Sequence, residues 1–261
     1  MIDALKDIPK LSGIFDTHSH YDDEKFSDIR EELLSGLFDL GLEGIITCGC
    51  DNRSSENAIK LSEKYDKIYA AVGFHPENLE DEEPRLEKIE EMLKQKKVVA
   101  LGEIGLDYHW DTPKDRQHKW FRAQLELAKK TDMPVIIHDR EAHGDSLEFL
   151  KEFRPKGVLH CFSGSAEMAK EVLKLGLYIG VGGVVTFKNA RKTVEAVEAL
   201  PLDRLLLETD CPYLAPEPFR GKLCHSGHIA FTAERIAEIK GASADEIRKA
   251  SFQNAKTLFG I

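Results

Sequence analysis

A chain of 261 residues with 42% hydrophobic side chains is long enough for a large α/β barrel and is not a disordered polymer. Its net charge of −10 argues against a protein that grips long stretches of DNA, so any nucleic-acid contact should be local. No apolar run approaches the roughly 18 residues of a membrane helix, and residues 1–10 lack the apolar segment of a signal peptide. The five cysteines, an odd number, favour free thiols. We therefore expect a cytoplasmic protein with no membrane contact, and no obligate protein partner is indicated.

Short apolar runs alternate with amphipathic segments along the chain. The runs predict buried strands at residues 13–16, 44–48, 68–73, 98–102, 135–137, 157–159, 177–181 and 205–207. The segments predict helices at 29–40, 55–64, 85–94, 115–129, 166–175, 194–200, 229–239 and 244–258. Strands that alternate with helices pair in parallel, and eight such units predict the α/β class and a (β/α)₈ TIM barrel. An open, doubly wound sheet is the alternative, but no Gly-x-Gly-x-x-Gly follows the first strand. We expect a single domain over residues 1–261.

Metal-capable side chains follow the first strand. His18 and His20 lie two residues apart, so they share one side of an extended chain and can approach one cation together. Asp16 lies on the same side, where its carboxylate could orient a ligand histidine.

Four more strands are predicted to end in such a residue: Glu103, His138, His160 and Asp210. The carboxyl ends of parallel strands meet at one rim of a barrel, where the active sites of this fold lie. Four imidazoles and two carboxylates exceed what one catalytic zinc ion takes from protein, so we expect two divalent cations. Glu103 should bridge them, with His18, His20 and Asp210 on one ion and His138 and His160 on the other.

The motifs DTHSHYDD, GFHPE, GEIGLDYHW, IIHDR, HCFSG and LLLETDCPYL occur in this order between Asp16 and Gly221. Together they resemble the TatD family of metal-dependent deoxyribonucleases, within the amidohydrolase superfamily. The resemblance implies a barrel, a divalent-metal site and 3′-to-5′ exonuclease activity on DNA ends, which we expect to be single-stranded. It also points to magnesium, whereas four imidazoles favour zinc or manganese, so the metal stays open.

The loop after the last strand departs from the family pattern. This stretch commonly reads Arg-Gly-x-x-Asn-x-Pro in the family, but Cys224 replaces the Asn and Ser226 replaces the Pro here. The departure leaves the metal residues intact and bears on how a substrate fits at the rim. His225 and His228 in the same loop superficially suggest a zinc loop, although a second pair of ligands at the usual spacing is missing.

Other polar residues near the rim are candidates for supporting roles. His75 follows the third strand and could contact a substrate phosphate or act as an acid, or simply cap a loop. Arg140 could form an ion pair with Glu208, which would need a partner if buried, or could contact phosphate. Arg220, in the last rim loop, could hold a phosphate.

The sequence predicts hydrolysis by a metal-activated water, because it contains no nucleophile elbow, P-loop or Ser-His-Asp order. Asp210 should accept the proton of that water, and His75 or a second water should protonate the leaving group. A hydrolase of small-molecule or aminoacyl esters or amides is the alternative, because the same activated water serves acyl chemistry. A metal-binding scaffold without catalysis is a further alternative.

Overall fold

The computed structural model describes residues 3–79 and 84–261, and its strands form the expected (β/α)₈ barrel. Eight parallel strands pair in chain order. They are β1 (Phe15–Ser19), β2 (Gly44–Cys48), β3 (Ile68–Val72), β4 (Val98–Asp107), β5 (Val135–Arg140), β6 (Gly157–Leu159), β7 (Tyr178–Val181) and β8 (Leu205–Leu207). Their carboxyl ends therefore share one rim of the barrel.

Nine α-helices occur in the described residues. They are α1 (Arg30–Asp39), α2 (Asn52–Lys64), α3 (Leu86–Met92), α4 (Lys114–Thr131), α5 (His143–Phe153), α6 (Ala166–Lys174), α7 (Arg191–Ala199), α8 (Ile229–Lys240) and α9 (Ala244–Phe259). The sequence pattern did not predict α5, which begins His-Gly-Asp and has no side-chain hydrogen bond at its N-cap, Ala142. The usual start signal of a helix is therefore absent there. None of the described helices is both long and apolar enough to cross a bilayer.

The apolar core has two parts. The larger cluster lies between the strands and the surrounding helices. The smaller cluster takes side chains from all eight strands: Phe15, Ile46, Cys48, Ala71, Ala100, Ile136, Val158, Tyr178 and Leu206. Side chains of all eight strands can meet only inside a barrel. Phe252 of α9 stacks on Phe15, with ring centroids 5.9 Å apart, so the last helix packs against this interior cluster.

The barrel closes between β1 and the segment after β8 through a few specific contacts. The amide of Asp210 donates to the His18 carbonyl over 3.0 Å, and the amide of His20 donates to the Cys211 carbonyl over 2.7 Å. The Asp16 carboxylate, fully buried, accepts from the Thr209 hydroxyl at 2.7 Å. These bonds tie the first and last strands together at the rim that carries the predicted site.

Asp16 does not orient a histidine ring, contrary to expectation. The pairing of β1 with β2 shifts register between Asp16 and Ser19, which breaks the strict alternation of sides. The Asp16 carboxylate accepts from the backbone amide of His18 and from the hydroxyls of Thr209 and Ser226. Its role is to hold the barrel seam.

The strands extend further than their apolar runs. Because β4 continues to Asp107, Glu103 lies inside the strand and not at its end; His18 and His138 likewise lie within β1 and β5. The register of β4 against β5 shifts between Leu101 and Ile104, on either side of Glu103. Such a shift re-aims a side chain, and here it allows Glu103 to point into the rim cavity.

Candidate metal centre

The six predicted metal ligands meet at the carboxyl end of the barrel. Glu103 lies at their centre: its Oε2 is 3.3 Å from His18 Nε2 and 3.4 Å from His20 Nε2. Its Oε1 is 2.8 Å from His138 Nδ1 and 2.7 Å from His160 Nε2. The two oxygens of one carboxylate thus face two different pairs of imidazoles.

The first group consists of His18, His20, Asp210 and Glu103 Oε2. The two Nε2 atoms are 3.1 Å apart, and each is 3.4 Å from Asp210 Oδ1. Two nitrogens that each lie about 2.1 Å from a tetrahedral zinc ion are separated by about 3.4 Å. The donor atoms and their separations therefore fit one divalent cation.

The second group is built on Glu103 Oε1. His138 Nδ1 and His160 Nε2, both close to this oxygen, are 3.2 Å apart. His75 Nε2 lies 3.5 Å from the same oxygen, while its Nδ1 accepts from the amide of Glu77. Two imidazole nitrogens and a carboxylate oxygen at these distances need a proton or a cation between them, so this donor set also fits a metal ion.

Neighbouring groups fix which nitrogen of each imidazole faces the centre. His138 Nε2 lies 2.9 Å from Asp107 Oδ2, so it donates there and leaves Nδ1 free. His20 Nδ1 donates to the Cys48 carbonyl over 3.0 Å and leaves Nε2 free. A carboxylate or carbonyl behind a histidine is the usual support of a metal ligand. Asp107 was not among the predicted site residues, although it lies on β4 four residues after Glu103.

Burial and mutual charge set the protonation of the centre. Burial raises the pKa of Asp210, but hydrogen bonds from His18 and His20 outweigh it and hold this pKa below its usual range. Burial lowers the pKa of His160 to about 4, with the positive charge of His18 acting in the same direction. For His138, burial is outweighed by its carboxylate partners, which raise the pKa to about 9. Cations and protons therefore compete for the imidazoles, and metal affinity should rise with pH.

A cavity of about 770 Å³ opens over the centre. Its lining includes five of the six predicted ligands, all except His18, together with His75. The Cys50 thiol also reaches it and lies 3.8 Å from His20 Nδ1. A concave site of this size that ends on converging polar groups is typical of an enzyme.

The chain matches the family model described as TatD related DNase over residues 15–260. It belongs to the TatD family. A relative from Bacillus subtilis strain 168, named uncharacterized metal-dependent hydrolase YabD, is 46% identical over 95% of this chain and 99% of its own length. The protein named 3′-5′ ssDNA/RNA exonuclease TatD from Escherichia coli K12 is 34% identical over 95% and 99%. The crystal structure of the TatD homologue YJJV from E. coli K12 covers 96% of this chain and 99% of its own, with a TM-score of 0.90 and 37% identity.

Family membership and relatives of this kind identify this TatD-family chain as a metal-dependent hydrolase on a TIM barrel. They confirm the resemblance seen in the sequence motifs.

The expected ion pair between Arg140 and Glu208 is not formed in the described structure. Arg140 is exposed and forms no ion pair with Glu208; its guanidinium lies 5.8 Å from the Trp110 ring centroid. Glu208 is buried, and its Oε1 accepts from the amide of Cys161 and lies 3.9 Å from His160 Nδ1. Burial raises the pKa of Glu208 to about 8, so a protonated carboxyl can lie there without a cationic partner.

Arg220 lies outside the lining of the metal cavity. It is exposed, and its guanidinium is 4.3 Å from the centroid of the Phe187 ring. The phosphate-binding role of this residue stays a prediction.

The loop that departs from the family pattern is part of the core. The Ser226 hydroxyl donates to Asp16 over 2.7 Å and lies 2.8 Å from the Tyr21 hydroxyl. His225 is buried; its Nε2 donates to the Ala4 carbonyl and its Nδ1 accepts from the amide of Gly227. Because both ring nitrogens of a neutral His225 take part in these hydrogen bonds, neither is available to bind zinc.

Replacement of His225 by Asn should make the protein less sensitive to acid. Burial lowers the pKa of His225 to about 4 from an ordinary 6.5. Between these two pH values His225 is protonated in the unfolded chain but stays neutral in the folded chain. The free energy of unfolding that is present above pH 6.5 is therefore lost as pH falls towards 4. From pH 7 to pH 5 this residue should remove about 2 kcal/mol from the free energy of unfolding.

Urea unfolding of the metal-free wild type and of His225→Asn at both pH values measures this term. Asn can still accept from the amide of Gly227, so the variant should fold and its stability should fall less between the two pH values. Equal losses in both proteins would contradict the assignment.

Proposed function

We propose that this protein removes nucleotides from the 3′ ends of single-stranded DNA with two divalent cations. The observation that carries the proposal is the position of Glu103, one of whose oxygens faces His18 and His20 while the other faces His138 and His160. One ion would be held by His18, His20, Asp210 and Glu103, and the other by Glu103, His138 and His160. Four imidazoles favour zinc or manganese, and magnesium is the third candidate.

The cations, when bound, would act as Lewis acids towards a water molecule and the phosphate oxygens. The residues around them have separate tasks. Glu103 is almost fully buried and ionised, which suits a bridge that keeps its charge throughout. Asp210 is the most exposed of the six, with 20% of its side chain accessible against 4% for Glu103. It is therefore best placed to accept the proton that a water loses as it attacks phosphorus.

His75 is proposed to serve the leaving group. Its Nε2 faces the centre while its Nδ1 is held by the amide of Glu77, so the ring has a fixed orientation. A proton on Nε2 can hydrogen-bond a phosphate oxygen or pass to the departing sugar oxygen. General acids at hydrogen-bond distance act in this way.

Support for a nucleic-acid end as substrate comes from relatives named 3′-5′ ssDNA/RNA exonuclease and from the net charge of −10. An acidic chain binds a long polyanion poorly, whereas two cations in a concave pocket can hold one terminal phosphodiester. The five free cysteines suit a reducing compartment, so we place the enzyme in the cytoplasm.

The proposal is tested with the metal-loaded protein and a single-stranded oligonucleotide labelled at its 5′ end. Exonuclease action from the 3′ end should give a ladder of products, each shortened by one nucleotide, while a strand blocked by a 3′ phosphorothioate linkage should persist. A matched RNA strand, a duplex and a panel of carboxylic esters are assayed in parallel. Turnover of esters without any oligonucleotide ladder would replace the nuclease proposal with the esterase alternative.

A further inference from the structure

Aromatic and aliphatic surface is concentrated at the mouth of the metal cavity. Three large hydrophobic side chains are exposed in the described part of the chain: Trp110 at 47%, Tyr213 at 46% and Leu214 at 37%. All three line the cavity over the metal centre. Exposed apolar surface gathered at one place commonly marks a binding site.

The two aromatic rings lie on opposite sides of the rim. Trp110 follows β4 and Tyr213 follows β8, and these strands are four positions apart in an eight-stranded barrel whose strands are paired in chain order. The metal centre, built on Glu103 of β4 and Asp210 after β8, lies between these two sides. A chain bound across the centre would therefore pass both rings.

Each ring is accompanied by a cationic side chain from a neighbouring strand or loop. The Arg140 guanidinium lies 5.8 Å from the Trp110 ring centroid, and Lys25 Nζ lies 3.9 Å from that of Tyr213. The Tyr213 hydroxyl also donates to Asp23 over 3.0 Å, which holds its ring in place. Lys25 lies over one face of the Tyr213 ring, and each ring together with its cationic side chain matches the two parts of a nucleotide, its base and its phosphate.

We propose that Trp110 and Tyr213 are stacking platforms for the nucleobases on the two sides of the scissile phosphodiester, with Arg140 and Lys25 contacting the adjacent phosphates. This inference rests on the nuclease function proposed above and names what the site recognises: unpaired bases, of any sequence. Stacking is sequence-tolerant because every base has a π-face, and paired bases in a duplex do not offer theirs. The platforms would therefore favour an unpaired strand over a duplex.

Kinetics with an abasic substrate test the platforms. Trp110→Ala and Tyr213→Ala should each raise KM for a normal single strand by about 5- to 100-fold, the range for one lost stacking contact. The same changes should leave KM unaltered for a strand whose last two residues lack bases. Trp110→Phe and Tyr213→Phe keep an aromatic face and should restore most of the affinity. Equal effects on normal and abasic strands, or no effect on either, would overturn the proposal.

The cationic side chains of Arg140 and Lys25 have a matched control at the other end of the barrel. Arg140→Ala and Lys25→Ala should each weaken binding and reduce its salt dependence, because each removes one phosphate contact. Lys156→Ala removes the same charge beside Asp132, where β5 and β6 begin, and should leave binding unchanged. Equal salt dependence in all three variants would remove Arg140 and Lys25 from the proposal.

Fluorescence separates this proposal from the nuclease function itself. The chain has two tryptophans, and Trp120 is buried, so Trp120→Phe leaves Trp110 as the reporter. Titration of the metal-loaded protein with a hydrolysis-resistant phosphorothioate strand should quench this emission, and an abasic strand should not. If the wild type hydrolyses no oligonucleotide, the nuclease proposal fails, and quenching still decides whether bases stack. Hydrolysis without quenching would refute the platform at Trp110 alone.

Discussion

Replacement of Glu103 by Gln is expected to empty the metal centre and to lower hydrolysis by at least about 10³-fold, because each cation contributes several kcal/mol to the barrier. The variant has nearly the same shape as the wild type, so the effect isolates charge. A neutral amide offers one oxygen where the carboxylate offers two, and its NH₂ group would face one pair of imidazoles. Both groups therefore lose their shared ligand. Metal content by elemental analysis and the rate on a 5′-labelled strand measure the two effects.

Glu77→Gln is the matched control for this variant. Glu77 also lines the cavity, but none of the contacts that organise the described metal centre uses its side-chain carboxylate. The control should keep both its cations and its rate. If Glu103→Gln retains two cations per chain, the carboxylate does not bridge them and its assignment as their shared ligand is wrong.

Position along the chain was sufficient to predict which metal-capable side chains meet at the rim. In a parallel barrel the residues near the carboxyl ends of strands converge whatever their spacing in sequence, so His18 and Asp210 could be paired over a separation of 192 residues. The sequence did not reveal the register shift that brings Glu103 inward from the middle of β4. Such irregularities depend on how two strands fit together, and local patterns carry little trace of them.

Supporting contacts were the least predictable part of the site. Arg140 and Glu208 do not form the expected pair, because Arg140 is exposed while Glu208 is buried. The Glu208 carboxyl accepts a hydrogen bond from the Cys161 amide instead. Asp107 supports His138 instead, since β4 extends beyond its apolar run. The sequence did not predict that Trp110 is exposed at the rim, because the exposure of this side chain depends on how its loop folds.

Asp210→Asn is expected to lower kcat by about 10²- to 10⁴-fold, the usual worth of a general base, with little change in KM for the strand. Asn keeps an oxygen that can face His18 and His20, so at least part of the metal should remain, but it cannot accept a proton from the attacking water.

Hydrogen bonds from these two histidines hold the pKa of Asp210 below its usual range, so the carboxylate stays ionised in mild acid. The acid limb of the wild-type rate should then follow the loss of cations from the imidazoles, and added metal should shift it to lower pH. Asp22→Asn, which removes another carboxylate from the cavity lining, is the control. An Asp210→Asn protein that keeps its metal and hydrolyses at the wild-type rate would mean that the proton leaves by another route, and His75 would be the next residue to change.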